Sequence, residues 1–214
     1  MLPQKLKEWF RNLLKPIGTL CTRLGIHPHV LTITGLVISC SAGFTFGLGF
    51  FRWAGLFVII SGIFDMLDGH TARISGKKSS FGALFDSTID RYAELVVFIG
   101  LAIYYMNHPH PALIIIILLA ISGSMMVSYV KARAEGLNME CTIGLMQRPE
   151  RIVYLGFGAM IFGNTILFQI ILGVIAVFTN VTAVQRVYYI YVRNRKQCKA
   201  TEKENCETKE EECL

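Results

Sequence analysis

Charge is scarce in this chain. Only 17% of its 214 residues are Asp, Glu, Lys or Arg, against 53% hydrophobic, and the mean hydropathy is +0.48. Such a composition excludes an ordinary soluble globular domain. Cysteine pairing is absent as well. Cys21, Cys40, Cys141, Cys198, Cys206 and Cys213 form no C-x-x-C, which excludes a zinc ribbon or a disulfide framework. Cys40 lies within an apolar run and reads as a small core residue. No RNA- or DNA-binding pattern occurs, so the net charge of +6 points to an anionic membrane leaflet and not to nucleic acid.

Apolar runs are what the chain has in abundance, and several approach the roughly 20 residues that cross a bilayer. Six are visible, at about 30–51, 53–73, 82–107, 111–133, 149–163 and 165–192, with "FGN" as the turn between the last two. The expected fold is an all-α integral membrane protein of six transmembrane helices. An interfacial helix precedes them: in Met1–Pro16, Leu6, Trp9, Phe10, Leu13 and Leu14 share one helical face, with Lys5, Lys7, Arg11 and Lys15 mostly elsewhere. The same segment lacks the long apolar core of a cleavable signal peptide. The organisation predicted is a juxtamembrane helix over 1–20, a six-helix domain over 21–192 and a charged, disordered tail over 193–214.

Lys and Arg set the orientation. They crowd the N-terminal segment, the connection between spans 2 and 3 (Arg73, Lys77, Lys78), that between spans 4 and 5 (Lys131, Arg133, Arg148, Arg151) and the C-terminus, whereas the opposite connections hold only Arg52. The positive-inside rule places both termini and those two connections in the cytoplasm of a multi-pass cell-membrane protein.

Against this background, "FDMLDGHTARISGKKSSFGALFDSTID" carries four aspartates. Asp65 and Asp68 are i, i+3, and Asp86 and Asp90 are i, i+4, so each pair shares a helical face. A short connection joins the two helices, and the pairs can converge near the cytoplasmic surface. Four carboxylates together need neutralising, by protons, by basic residues such as Arg73 and Arg91, or by hard divalent cations that prefer oxygen ligands. Ionisable residues inside membrane spans are expensive and usually functional. Gly69 and Gly82 allow close approach of a ligand, and Arg73 is a short reach away; a phosphate-rich ligand fits that combination.

With its spacing the stretch reads D-x2-D-G-x2-A-R-x8-G-x3-D-x3-D, at Asp65, Asp68, Gly69, Ala72, Arg73, Gly82, Asp86 and Asp90. This resembles the signature of the CDP-alcohol phosphotransferase (phosphatidyltransferase) family, and the likeness extends over roughly residues 20–192. The resemblance implies a membrane enzyme, commonly a homodimer, that joins a CDP-linked lipid to an alcohol and releases CMP. It implies Asp65, Asp68, Asp86 and Asp90 as ligands of two Mg²⁺ or Mn²⁺ ions, with Asp90 also the base for the acceptor hydroxyl. It implies contacts to the CDP-lipid from Gly69, Arg73 and Ser79. "HPHVLT" resembles the family's Pro-Asn-x-x-Thr entry to the first span, which adds Pro28, His29, Val30, Leu31 and Thr32 to the nucleotide pocket; His29 departs from the Asn or Asp of many members.

Several cations beside such a site point to an anionic acceptor. Positive-inside anchoring accounts for Lys131 and Arg148, but poorly for Arg186 within the sixth span. "SYVKARAE" and "RPER" resemble the phosphatidylinositol-phosphate synthase branch, which implies inositol 1-phosphate as acceptor, held by Arg133, Arg151 and Arg186 with Lys131 assisting. Alternatives are a phosphatidylglycerophosphate synthase using glycerol 3-phosphate, free inositol as acceptor, an ether-lipid donor, or a cation or proton transporter whose carboxylates serve conduction.

Overall fold

The computed structural model describes residues 19, 28–74, 79–139, 141 and 143–211, with side chains described for all of these except 28, 70, 72–74 and 196–211. Six helices account for nearly all of them: α1 (Pro28–Gly47), α2 (Phe51–Ile74), α3 (Ser80–Asn107), α4 (Pro111–Gly136), α5 (Arg148–Phe162) and α6 (Ile166–Glu211). The stretch read as an interfacial helix, Met1–Pro16, lies outside the described residues.

The helix ends follow local chemistry. Pro28 and Pro111 open α1 and α4, positions where a missing N–H costs nothing. Ser79 caps α3, its hydroxyl accepting the Gly82 N–H at 2.9 Å. Glu150 reaches back to accept the Gln147 N–H at 2.8 Å and so closes the first turn of α5. Gly163 ends α5 at φ 58°, a conformation that favours glycine, which is the "FGN" turn. Each helix matches a predicted span within a few residues, with one departure. Helix α6 runs on to Glu211 through the segment expected to be disordered. Residues 193–211 contain no Pro or Gly and are rich in Lys and Glu, good helix formers that lack only an apolar face.

Helix α1 packs against both α2 and α3, α2 also against α5, and α4 against α6, with smaller contacts between α3 and α4 and between α5 and α6. The aromatic centre of the core lies where α1 ends and α2 begins. Phe46, Phe51 and Phe168 meet there with ring centroids 5.5 Å to 6.2 Å apart, over the fully buried Leu101 and Ile117. This apolar plug occupies the end of α2 and α3 opposite the aspartates. Outward faces are apolar too: Val37, Phe44, Leu118, Ile170 and Val177 are exposed, as expected of surfaces solvated by lipid. Cys40 belongs to this outward set and is exposed, correcting its expected place in the core; it falls three residues from Val37 and four from Phe44, on the same face of α1.

Helices α1, α4 and α6 are long and apolar enough to cross a membrane. Helices α2 and α3 give up that character to the carboxylates at their ends, and α5 has only 15 residues.

Two glycine contacts let backbones approach closely, as small residues do between membrane helices. A Cβ on Gly100 would collide with the Gly43 backbone, and one on Gly55 would lie 2.5 Å from the Gly156 carbonyl oxygen. Gly100→Leu should therefore separate α1 from α3. The expected loss is about 1–3 kcal/mol or more, read as a lower unfolding temperature in detergent, with Gly136→Leu, where a Cβ meets nothing within 4 Å, as the neutral control.

Candidate active site and metal centre

The last turns of α2 and the first turns of α3 bring all four aspartates to one end of the bundle. One carboxylate oxygen from each of Asp65, Asp68 and Asp86 lies within 4.8 Å of the other two. Both Asp68 oxygens and Asp86 Oδ1 are buried with no hydrogen-bond partner among the described residues. Orphaned carboxylate oxygens in a buried cluster are costly; hard divalent cations, which take oxygen ligands, relieve that cost. The donor set therefore fits Mg²⁺ or Mn²⁺.

Asp90 differs. Its Oδ2 is paired with Arg148 Nη1, and the same Nη1 donates to Asp65 Oδ1 at 2.8 Å. Arg91, which the sequence offered as a counter-charge, is only a loose neighbour at 3.9 Å. This corrects the account of Arg148 as a surface anchor: it is the cation of the aspartate cluster, delivered by the start of α5.

Arg151, one turn on, is 2% exposed. Its Nε and Nη2 donate to the two Glu94 oxygens at 2.7 and 3.1 Å, a fork-to-fork pair, and Nη1 reaches the Met146 carbonyl at 3.4 Å. Glu94 sits one turn beyond Asp90 on the same face of α3. Its i+4 spacing from Asp90 was the available signal for it, and sequence reasoning missed it. Arg186 is also buried, with Nε on the Ile143 carbonyl at 2.8 Å and Nη1 on the Val127 carbonyl at 2.6 Å; Arg151 and Glu135 are charged neighbours. The two other acceptor candidates are placed differently. Lys131 is exposed and paired with Glu135 at 3.6 Å, and Arg133 is exposed at the end of α4. The structure thus brings Arg151 and Arg186 into the interior and leaves Lys131 and Arg133 on its surface.

The nucleotide-pocket candidates divide as well. Gly69 is exposed, and a Cβ there would meet nothing within 4 Å, so space opens beside Asp68. Ser79 uses its hydroxyl oxygen to cap α3. His29 packs edge-on against Phe85 at 5.2 Å. Thr32 is buried beside the aspartates in the narrow pocket they share with Arg148. Leu31 is buried, whereas Val30 is exposed on the outer face. The side chains of Pro28 and Arg73 lie outside the described residues.

Comparison with known proteins accords with this geometry. Residues 25–184 match the CDP-alcohol phosphatidyltransferase family. The chain is 35% identical to the phosphatidylinositol phosphate synthase of Mycobacteroides abscessus, over 86% of each protein. It is 31% identical to the archaetidylinositol phosphate synthase of Methanothermobacter thermautotrophicus, over 83% of this chain and 89% of that one. Among solved structures it resembles the Mycobacterium tuberculosis phosphatidylinositol phosphate synthase with CDP-DAG bound, at a TM-score of 0.76 and 30% identity over 84% of this chain and 94% of that one. The same enzyme in complex with manganese and citrate gives a TM-score of 0.75 and 32% identity, over 83% and 88%. With the aspartate spacing, the six-helix fold and these matches all agreeing, the chain belongs to the CDP-alcohol phosphatidyltransferase family.

Proposed function

We propose that the protein transfers the phosphatidyl group of CDP-diacylglycerol to inositol 1-phosphate, giving phosphatidylinositol phosphate and CMP. The observation that carries this is the pair of buried guanidinium groups, Arg151 and Arg186, behind a cluster of aspartates. A neutral polyol needs no such pair, whereas a phosphorylated one does.

Asp65, Asp68, Asp86 and Asp90 are assigned as the ligands of two Mg²⁺ or Mn²⁺ ions. Ions held by these carboxylates would supply positive charge to neutralise the donor's pyrophosphate and make its β-phosphorus electrophilic. The chain's own residues do the rest. Gly69 leaves room for the nucleotide, and Arg73 and Ser79 are assigned to contact it. Arg151 and Arg186 hold the acceptor's phosphate and so orient its ring. Asp90 takes the proton of the attacking hydroxyl, because an alcohol near neutral pH is a poor nucleophile without a base. The oxygen–phosphorus bond to the inositol forms, the bond to CMP breaks, and CMP leaves.

The six helices are assigned as six spans of the cell membrane, with both termini and the aspartates on the cytoplasmic side, in a homodimer. The distribution of Lys and Arg supports that orientation. Cysteine labelling in oriented vesicles checks it: a cysteine at position 78 should react from the cytoplasmic face and one at position 109 from the other, and the reverse pattern would overturn the orientation. The catalytic assignment is tested by CMP release from CDP-diacylglycerol with Mn²⁺, across inositol 1-phosphate, free inositol, glycerol 3-phosphate and serine. Inositol 1-phosphate should support the fastest release, and equal rates with free inositol would refute the phosphate-binding role. Because one relative is named an archaetidylinositol phosphate synthase, the panel includes the ether-linked CDP-lipid; the diacyl donor is expected to be preferred.

A further inference from the structure

Arg148 sits where a cation belongs. One guanidinium nitrogen, Nη1, touches both Asp65 and Asp90, and Nε is buried with no partner among the described residues. The group is placed for its charge, not to satisfy its donors. It is also held firmly from behind. Glu150 fixes the first turn of α5, and Arg151 on Glu94 ties that turn to α3 one turn beyond Asp90. The four carboxylates therefore divide. Asp68 and Asp86 offer unpartnered oxygens, Asp65 is shared between them and Arg148, and Asp90 is committed to Arg148. The pocket lined by Thr32, Asp65, Asp68, Asp90 and Arg148 measures about 10 Å³. That is room for about one water-sized occupant, and Arg148 forms part of its wall beside Asp90.

We propose that Arg148 is a built-in counter-cation that competes with the second divalent ion for Asp90. Resting on the two-ion site proposed above, the arrangement makes the two ions unequal. The ion held by Asp65, Asp68 and Asp86 contends with Arg148 at Asp65 alone. The ion that needs Asp90 must first turn Arg148 away, and its affinity is lower by the work of doing so. In the metal-free protein Arg148 keeps the acidic cluster from repelling itself. It also withholds Asp90, so that the carboxylate becomes available to an acceptor hydroxyl only once the site is loaded. Arg148 is thus a positioning residue, acting through Asp90.

The test is Mn²⁺ binding to the purified full-length protein in detergent without lipid or acceptor, counted from the free-Mn²⁺ resonance signal. Wild type should bind one ion tightly and one weakly. Arg148→Gln removes a unit charge from beside Asp90 and should tighten the weak site about tenfold or more, while lowering the unfolding temperature of the metal-free protein. Arg148→Lys keeps a charge but on a shorter side chain with a compact, strongly hydrated head group, and should tighten it less. An unchanged or weaker second site in a folded Arg148→Gln protein would overturn the proposal. Should that variant fail to fold, Arg148→Lys decides: a tighter second site supports competition and an unchanged one refutes it. If wild type binds no Mn²⁺ at all, the metal assignment of the aspartates falls instead, which is a separate outcome.

Discussion

Asp90→Asn protein should bind CDP-diacylglycerol and release no CMP. Asn has the size and shape of Asp but cannot take a proton from the acceptor hydroxyl. It also removes the charge that Arg148 now balances, so the guanidinium should turn wholly to Asp65 and the fold should hold. General-base catalysis is typically worth about 10²–10⁴-fold, and loss of an ion ligand adds to that. Turnover should therefore drop by about 10³-fold or more, with donor affinity reduced far less. Asp68→Asn should act differently. Asp68 is 3% exposed and lies in the carboxylate cluster that fits the ions, so this variant should lose Mn²⁺ affinity along with rate. Near wild-type turnover in Asp90→Asn would remove the base assignment.

The second large effect is expected at the arginines behind the aspartates, where structure and function must be separated. Arg151→Ala leaves the buried Glu94 carboxylate without its partner, and breaking a buried ion pair from one side typically costs about 3–5 kcal/mol. The variant should be markedly less stable, whatever Arg151 does in catalysis. Adding Glu94→Ala removes the stranded charge and should restore most of the unfolding temperature. If Arg151 also holds the acceptor's phosphate, the double variant regains stability but keeps a KM for inositol 1-phosphate raised about tenfold to a hundredfold, since a charge-assisted contact is worth about 1.5–3 kcal/mol. If Arg151 is only a strut, stability and KM recover together. Arg186→Ala, whose partners are backbone carbonyls and not a carboxylate, should raise the acceptor KM similarly with a smaller loss of stability. The KM for CDP-diacylglycerol should move little in either.

The sequence made the aspartates legible because helical spacing alone puts Asp65 beside Asp68 and Asp86 beside Asp90, and because they are the only four in the chain. Helix positions were legible for a similar reason: Pro28, Pro111 and Pro149 stand at helix starts and the Gly163 turn at a helix end, where backbone chemistry sets the boundary. What stayed hidden depends on contacts between distant segments. Arg148 meets Asp65 across 83 residues, and as the first residue of "RPER" beside a basic connection it was indistinguishable from an anchoring charge. Glu94 could have been singled out as a lone carboxylate four residues beyond Asp90, but only the structure gives it Arg151. Cys40 was misplaced because α1 is apolar all round, so its sequence does not say which face turns inward. The length of α6 was missed because the absence of an apolar stripe was read as absence of helix, although nothing in 193–211 breaks one.

On the proposed function, this site selects an acceptor by its phosphate and its inositol ring together. Offering equimolar inositol 1-phosphate, free inositol and glycerol 3-phosphate to the purified protein with CDP-diacylglycerol and Mn²⁺, and identifying the lipid formed by mass spectrometry, compares their kcat/KM values in one tube. Phosphatidylinositol phosphate should be the dominant product. A product mixture dominated by phosphatidylinositol or by phosphatidylglycerol phosphate would contradict recognition of inositol 1-phosphate.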